Sequence, residues 1–354
     1  MLESEKGRRP TAGESRRGGW RSSWWRWGIS LAVFLFILRW IDLGGFRSAL
    51  ARLDWGPLLL AFICLTLALV LFRALRLWML LRAQGFPLAY GKIFRIQWEG
   101  QFFGLLLPGT LGTDAWRVWA VSRTAGRMEG SVAAVAMDRV AGFVGQVLNA
   151  LLAWFLFGGI LSRREAGGLL LDVGLFSLAA LATLGLLSSA RVAGALTRLP
   201  LFRTPRVRKS LAGLQEGLGL LWRRSGRLPF LLGVATAGHF FHTLAVFALA
   251  RGLGAAAGFG YYMGLVPLSL MATGLPISFS GLGVRDLTYV SLFQPLGVPA
   301  EIMLAVSVSE FALTILIRLI GGLFCLFPAG SAPDPPPGES GKTTAPPFGK
   351  FSPG

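Results

Sequence analysis

The sequence predicts an all-α, polytopic helical membrane protein with six to eight spans and two broken or re-entrant helical regions. Of its 354 residues, 53% are hydrophobic and only 15% are charged, which is too little charge to cover a soluble domain of this size. Residues 140–162 and 228–250 each run 23 residues without a charged side chain, and residues 252–284 run 33. Stretches of about 20 such residues cross a bilayer, and their backbone groups must bond internally, so these stretches predict helices.

The expected elements follow from the apolar runs and their borders. Tryptophans at positions 20–27 precede the first apolar run and mark a first span at about 26–41. Further spans are expected at about 55–81, 131–158, 168–189, 228–250, 258–275 and 300–327. Two regions, 92–127 and 276–297, interrupt this pattern because proline and glycine break their apolar runs.

Positive charge is concentrated beside the spans. Residues 1–27 carry a net charge of +4 and residues 190–228 carry +8, together 12 of the 18 net charges. Basic segments beside spans are typical of cytoplasmic loops, and they also attract anionic lipids, so nucleic acid is not the expected partner. The sequence thus predicts a basic cytoplasmic segment at 1–25 and a transmembrane domain at 26–327 in a bacterial-type inner (cell) membrane. Within that domain residues 190–228 form a basic amphipathic cytoplasmic loop, and the proline-rich tail at 328–354 is expected to be disordered.

The two broken regions resemble each other. Residues 107–117 and residues 275–286 each begin with Leu-Pro, continue through a glycine-rich turn and end in an Arg/Asp pair that opens another helix. Each is followed by a long span that carries charges. Paired interrupted segments in two halves suggest an internal repeat with a transporter-like site between the halves.

Four stretches carry a family resemblance: residues 73–85, 102–117, 138–142 and 276–286. In order and spacing they resemble the lysylphosphatidylglycerol synthase/flippase transmembrane-domain family. The resemblance covers roughly residues 30–327 and implies a flippase-like membrane module without the aminoacyl-transferase domain of the synthases. The lipid substrate does not carry over with it.

The candidate site consists of charged residues within spans and glycines at the two turns. Buried ionisable residues cost about 2.5–3.5 kcal/mol each on insertion scales, and they usually pair or line a cavity. Helix N-termini offer unpaired N–H groups, and arginine offers a planar fork that fits phosphate oxygens. The candidate residues for binding a lipid head group are Arg73, Arg76, Gly109, Gly112, Asp114, Arg117, Asp138, Arg139, Gly281, Gly283, Arg285, Asp286 and Glu310.

Within this set, we expect the turns at 109–114 and 280–285 to approach each other. Arg117, Arg139 and Arg285 would then contact the phosphate, while the carboxylates orient the arginines or shuttle a counter-ion. The alternative is structural: Asp114 caps a helix, and the neighbouring pairs Asp138–Arg139 and Arg285–Asp286 form salt bridges at the interface.

Three functions fit these features. The leading one is translocation or binding of an anionic phospholipid or lipid-linked precursor between leaflets, without a cofactor, a metal or a nucleotide-binding motif. The second is a membrane-embedded transferase that modifies a lipid. The third is a non-catalytic subunit that recruits a soluble or membrane enzyme of lipid or glycan metabolism. The expected partners are anionic membrane lipids and, in the third case, that enzyme.

Overall fold

The computed structural model describes residues 51, 54–105, 111–157, 175, 228–274 and 283–326. All regular elements in these residues are helices, which confirms the predicted all-α membrane class. The N-terminal segment, the span at 26–41, the basic loop and the tail lie outside the described residues, as does the span at 168–189 apart from residue 175.

The first half of the described chain contains an interrupted span, two shorter helices and a long helix. Its helices are α1 (Trp55–Thr66), α2 (Arg73–Ala83), α3 (Tyr90–Phe103), α4 (Leu111–Ala125) and α5 (Met128–Phe157). A π-helical turn at Leu67–Phe72 joins α1 to α2, so that Trp55–Ala83 forms one span of 29 residues.

The second half repeats this order. Its helices are α6 (Leu228–Gly252), α7 (Phe259–Gly274), α8 (Val284–Phe293) and α9 (Ala300–Leu326). In both halves a span is followed by a shorter helix, a second short helix and a long span. A 3-10 turn at Gln294–Leu296 lies between α8 and α9.

Four helices in the described part are long and apolar enough to cross a membrane. They are Trp55–Ala83, Met128–Phe157, Leu228–Gly252 and Ala300–Leu326, and their ends lie close to the bounds predicted from apolar runs. The first broken region, 92–127, contains most of α3 and the whole of α4, so the Arg/Asp pair at its end lies on a helix as expected. Residues 106–110, between these two helices, lie outside the described residues.

The two halves pack against each other reciprocally. Helix α3 of the first half packs along the long span α9 of the second, and α7 of the second half packs along the long span α5 of the first. The leading spans α1 and α6 also pack together. This exchange of equivalent contacts is what an internal repeat produces, and it supports the repeat inferred from the two broken regions.

Glycines allow the close contacts between the halves. A Cβ added to Gly145 on α5 would lie 2.7 Å from the backbone of Ala235 on α6, and one added to Gly321 on α9 would lie 2.3 Å from the carbonyl oxygen of Trp98 on α3. Helix association within lipid depends on such small residues because burial of apolar surface gains little there.

Candidate functional site

A cavity of about 440 Å³ lies between the two halves of the bundle. Its wall is formed by residues from both leading spans, from α3, α4, α5 and α7, and from α9. Six of the predicted site residues line it: Arg73, Arg76, Asp114, Arg117, Asp138 and Arg139. The sequence therefore predicted much of the charged wall of this cavity, although from residues that are far apart along the chain.

Apolar side chains also line the cavity. They include Leu69 and Phe72 from the π-helical turn, Phe143 from α5, and Leu270 and Met271 from α7. A site lined by both charged and apolar side chains suits an amphiphilic molecule better than a fully polar solute.

Asp138 is the centre of the charged wall. Its side chain is only 1% exposed, and its two oxygens accept hydrogen bonds from different helices. Oδ1 accepts a hydrogen bond from Nε of Arg76 on α2, and Oδ2 accepts one from Nη2 of Arg117 on α4 at 2.6 Å. A single buried carboxylate thus holds two arginines in place, and it offsets part of their charge.

Asp114 extends this network toward the more exposed Arg139. Asp114 lies in the first turn of α4 and accepts a hydrogen bond from Nη1 of Arg117 at 3.1 Å. Its other carboxylate oxygen accepts a hydrogen bond from Nε of Arg139. The side chain of Arg139 is 49% exposed, whereas that of Asp138, its neighbour in sequence, is buried. Adjacent helical residues do not face each other, so the predicted Asp138–Arg139 salt bridge does not form.

Arg73 is the exception among these arginines. It lies one turn before Arg76, is half-buried and lines the cavity. Its guanidinium makes no hydrogen bond and no ion pair with any residue that the structure describes. An arginine within a span usually pairs, so this one offers the cavity five unused N–H donors.

Two glutamines missed by the sequence analysis support the π-helical turn before Arg73. Nε2 of Gln97 and Nε2 of Gln101 on α3 each donate to the carbonyl oxygen of Leu69 at 2.8 Å. Because a π-helical turn disturbs the regular bonding of the helix, its carbonyl groups need such partners. Glutamines four residues apart on an otherwise apolar helix were the signal that could have revealed this contact.

A second buried cluster lies on α6, α8 and α9. Glu310 on α9 is 2% exposed and accepts a hydrogen bond from Nη1 of Arg285 at 3.3 Å and from the hydroxyl of Tyr289 at 2.9 Å. Nε2 of His242 lies 3.1 Å from the same carboxylate. Arg285 also donates from Nε to the hydroxyl of Ser307 at 2.8 Å. The donors of this arginine are thus largely occupied by protein groups.

Asp286 caps the N-terminus of α8. Gly283, with a φ of 85°, precedes the helix, and its N–H donates to Oδ2 of Asp286 at 2.8 Å. The other carboxylate oxygen accepts from the hydroxyl of Ser307. The amide of Gly283 is therefore occupied within the protein, and Asp286 does not pair with Arg285.

The two clusters correspond position by position. In the first half, Arg76 of the leading span and Arg117 of the helix after the break both contact Asp138 of the long span. In the second half, His242 on the leading span and Arg285 on the helix at the equivalent position both contact Glu310 of the long span. The spacing of three between Arg73 and Arg76 recurs between His239 and His242, and both histidines line the cavity.

The remaining predicted residues are placed as follows. Gly112 opens α4 and lies against α3 so closely that a Cβ there would be 2.1 Å from the carbonyl oxygen of Phe103. Gly109 and Gly281 lie outside the described residues, so the approach of the two turns stays a prediction. Arg285 and Glu310 do not line this cavity, whereas Arg117 and Arg139 do. The cavity therefore does not bring together the three arginines that were expected to contact the phosphate. His242 links the two sites, because it lines the cavity and contacts Glu310.

The comparisons with known proteins agree with this architecture. The family model described as the lysylphosphatidylglycerol synthase TM region matches residues 23–322, which include every described helix except the last turn of α9. The chain matches no curated protein and no solved structure. With most of its length covered by that model and spanning helices in the structure, the chain is an integral membrane protein and belongs to the family of the lysylphosphatidylglycerol synthase transmembrane region.

Proposed function

We propose that this protein binds an anionic lipid by its head group in the cavity and moves the lipid between the two leaflets. The observation that carries the proposal is the cavity itself, in which arginines and apolar side chains line the same space between two repeated halves. Phosphate oxygens would meet the guanidinium groups, while the acyl chains stay in contact with apolar side chains and hydrocarbon.

The repeat supports movement and not only binding. Sites between repeated halves with interrupted helices are typical of transporters, in which one half rocks against the other around a fixed site. Here the ion-pair network ties α2, α4 and α5 together, so these three helices would move as one unit.

We further propose that the lipid passes through chemically unchanged, and that the protein lies in the cell membrane with its N-terminus in the cytoplasm. The orientation rests on the basic segments at 1–27 and 190–228. Transfer of a radiolabel from a soluble donor to lipid by the purified protein would contradict the first statement and favour a transferase.

A lipid-scrambling measurement in vesicles tests the proposal. The purified chain is placed in vesicles that contain a trace of phosphatidylglycerol with a fluorophore on one acyl chain, and a membrane-impermeant reductant bleaches the outer leaflet. We expect the protein to make the inner-leaflet fluorophore accessible, either directly or when a proton gradient is imposed. Vesicles without protein should retain about half of the signal, as expected for a lipid that crosses slowly between two equal leaflets.

A variant that fills the cavity supplies the control. Gln146 lines the cavity, so Gln146→Trp should slow the movement at least about fivefold by occupying space that the head group needs. Leu152 lies on the same helix and is 39% exposed, so Leu152→Trp should leave the rate unchanged. Failure of the wild type to accelerate any anionic lipid, or equal rates for both variants, would refute the proposal.

A further inference from the structure

Among the residues that the structure describes, the charges that line the cavity do not balance. Five arginines of this part line it against two aspartates, a formal excess of three positive charges. The arginines are Arg73, Arg76, Arg117, Arg139 and Arg318. The sequence between α3 and α4, 106–110, and between α7 and α8, 275–282, contains no charged residue. A site of this kind inside a membrane calls for an anion as its occupant.

Unused hydrogen-bond donors lie on the same wall. Arg73 makes no hydrogen bond with a described residue, and Nε of Arg117 is buried without an acceptor there. The remaining guanidinium groups of this wall are engaged: Arg76 and Arg117 on Asp138, Arg139 on Asp114, and Arg318 on the carbonyl oxygen of Gly104. The occupant must therefore supply several acceptor oxygens and more than one negative charge.

Phosphate chemistry offers two classes of lipid head group that differ in these respects. A phosphate diester carries one negative charge and two free oxygens, and it would leave most of the excess in place. A phosphate monoester carries about 1.5 to 2 negative charges at pH 7 and three acceptor oxygens, and a diphosphate carries more of both. Charge-assisted hydrogen bonds from arginine favour the class with more charge and more oxygens.

We propose that the preferred occupant is a lipid whose head group is a phosphate monoester or a diphosphate, and that Arg73 selects it over a diester. This inference rests on the proposed function, since it names the lipid class for the same cavity. The volume of about 440 Å³ admits a head group and not a whole lipid. Arg73 and Phe72 both line the cavity, so a phosphate on Arg73 would have an apolar side chain near it.

The test keeps the lipid tails constant and varies the head group alone. Equilibrium dissociation constants are measured for the purified full chain in detergent micelles with four dioctanoyl lipids: phosphatidylglycerol, phosphatidic acid, the diacylglycerol diphosphate and lysylphosphatidylglycerol. We expect the monoester and the diphosphate to bind at least about tenfold more tightly than the diester, since each adds hydrogen bonds to a charged group. Dioctanoyl lysylphosphatidylglycerol should bind weakest, because its ammonium group would enter beside five arginines.

Substitution of Arg73 tests whether this residue causes the preference for a monoester over a diester. Arg73→Gln should bring the constants of the monoester and the diester to within about threefold of each other, and Arg73→Lys should retain part of the difference because the charge remains. Arg82 is the matched control, since it lies on the same helix, is exposed and does not line the cavity. Arg82→Gln should keep the full preference. Arg73 makes no hydrogen bond within the described protein, so its loss should not prevent folding, and a single symmetric gel-filtration peak checks this.

The possible results separate the two proposals. Equal binding of diester, monoester and diphosphate by the wild type, or a preference that survives Arg73→Gln, would overturn the inference and leave anionic lipid binding intact. Binding of none of the lipids would overturn the proposed function as well. A further arm adds inorganic diphosphate as competitor: if it binds as tightly as the lipid, the site takes a soluble anion, which supports the charge argument and refutes the lipid.

Discussion

Replacement of Asp138 by asparagine removes the carboxylate that two arginines share. Arg76 and Arg117 are 5% and 1% exposed, and both would keep their charge in the interior of the bundle. Breaking a buried ion pair by removing one partner costs about 3–5 kcal/mol, because the other charge is left without compensation. We therefore expect Asp138→Asn to lower the free energy of unfolding by about that amount, which is two to four powers of ten in the unfolding equilibrium.

Equilibrium unfolding in mixed micelles with increasing SDS, followed by tryptophan fluorescence, measures this loss. Glu129 supplies a control on the same helix because it is exposed, and Glu129→Gln should change stability by at most about 1 kcal/mol. The double variant Asp138→Asn with Arg117→Gln removes one of the stranded charges, so it should lose less than the sum of the single changes. A stability of Asp138→Asn within about 0.5 kcal/mol of the wild type, or strict additivity in the double variant, would refute this account of the charged wall.

Two further predictions concern the approach to Arg76 and the second cluster. A Cβ on Gly142 would lie 3.0 Å from both terminal nitrogens of Arg76. Gly142→Ala should therefore displace that guanidinium and weaken binding of a phosphate lipid about three- to tenfold. Gly233→Ala is the control: a Cβ there meets nothing within 4 Å, so the dissociation constant should stay unchanged. Tyr289→Phe removes a hydrogen bond of 2.9 Å to buried Glu310 and should lower the free energy of unfolding by about 1–3 kcal/mol in the SDS titration; no measurable change would show that this hydroxyl contributes nothing to the cluster.

The spans were predictable because a single property, the length of an uncharged apolar run, determines them. The ends of Met128–Phe157 and Leu228–Gly252 agree with the sequence-based bounds closely for this reason. Within the first broken region this property gives no bounds for α4, since that helix carries Asp114, Arg117 and Arg123. Apolar periodicity does not reveal a helix whose charged residues face a cavity.

The charged residues of the site were predictable, but their partners were not. A charge inside a span predicts that a partner exists, and Asp138 and Arg117 were found in this way. Which residues meet depends on helix rotation and on packing between helices that are distant in sequence. That is why Asp138 contacts Arg76, 62 residues away, and not its neighbour Arg139. The placement of Arg285 beside Glu310, away from the cavity wall, depends likewise on the packing of α8 against α9.

The π-helical turn gives no sign of itself in the sequence. Leu67–Phe72 reads Leu-Ala-Leu-Val-Leu-Phe, a run that would fit any spanning helix. Only the pair of glutamines on α3 hinted that a carbonyl group in the neighbouring span needs donors.

The π-helical turn also fixes how the two ends of the first span are rotated relative to each other. Such a turn absorbs one extra residue in a wider turn, whereas each residue of an α-helix turns the helix by about 100°. If Leu67–Phe72 took up ordinary α-helical bonding with no residue deleted, α1 would be rotated by about that angle relative to α2. Since α1 is packed on α6 while α2 is packed on α3 and α5, the two ends could not both keep their neighbours. Either Arg73 would swing out of the space between the halves or the first span would detach from the second half.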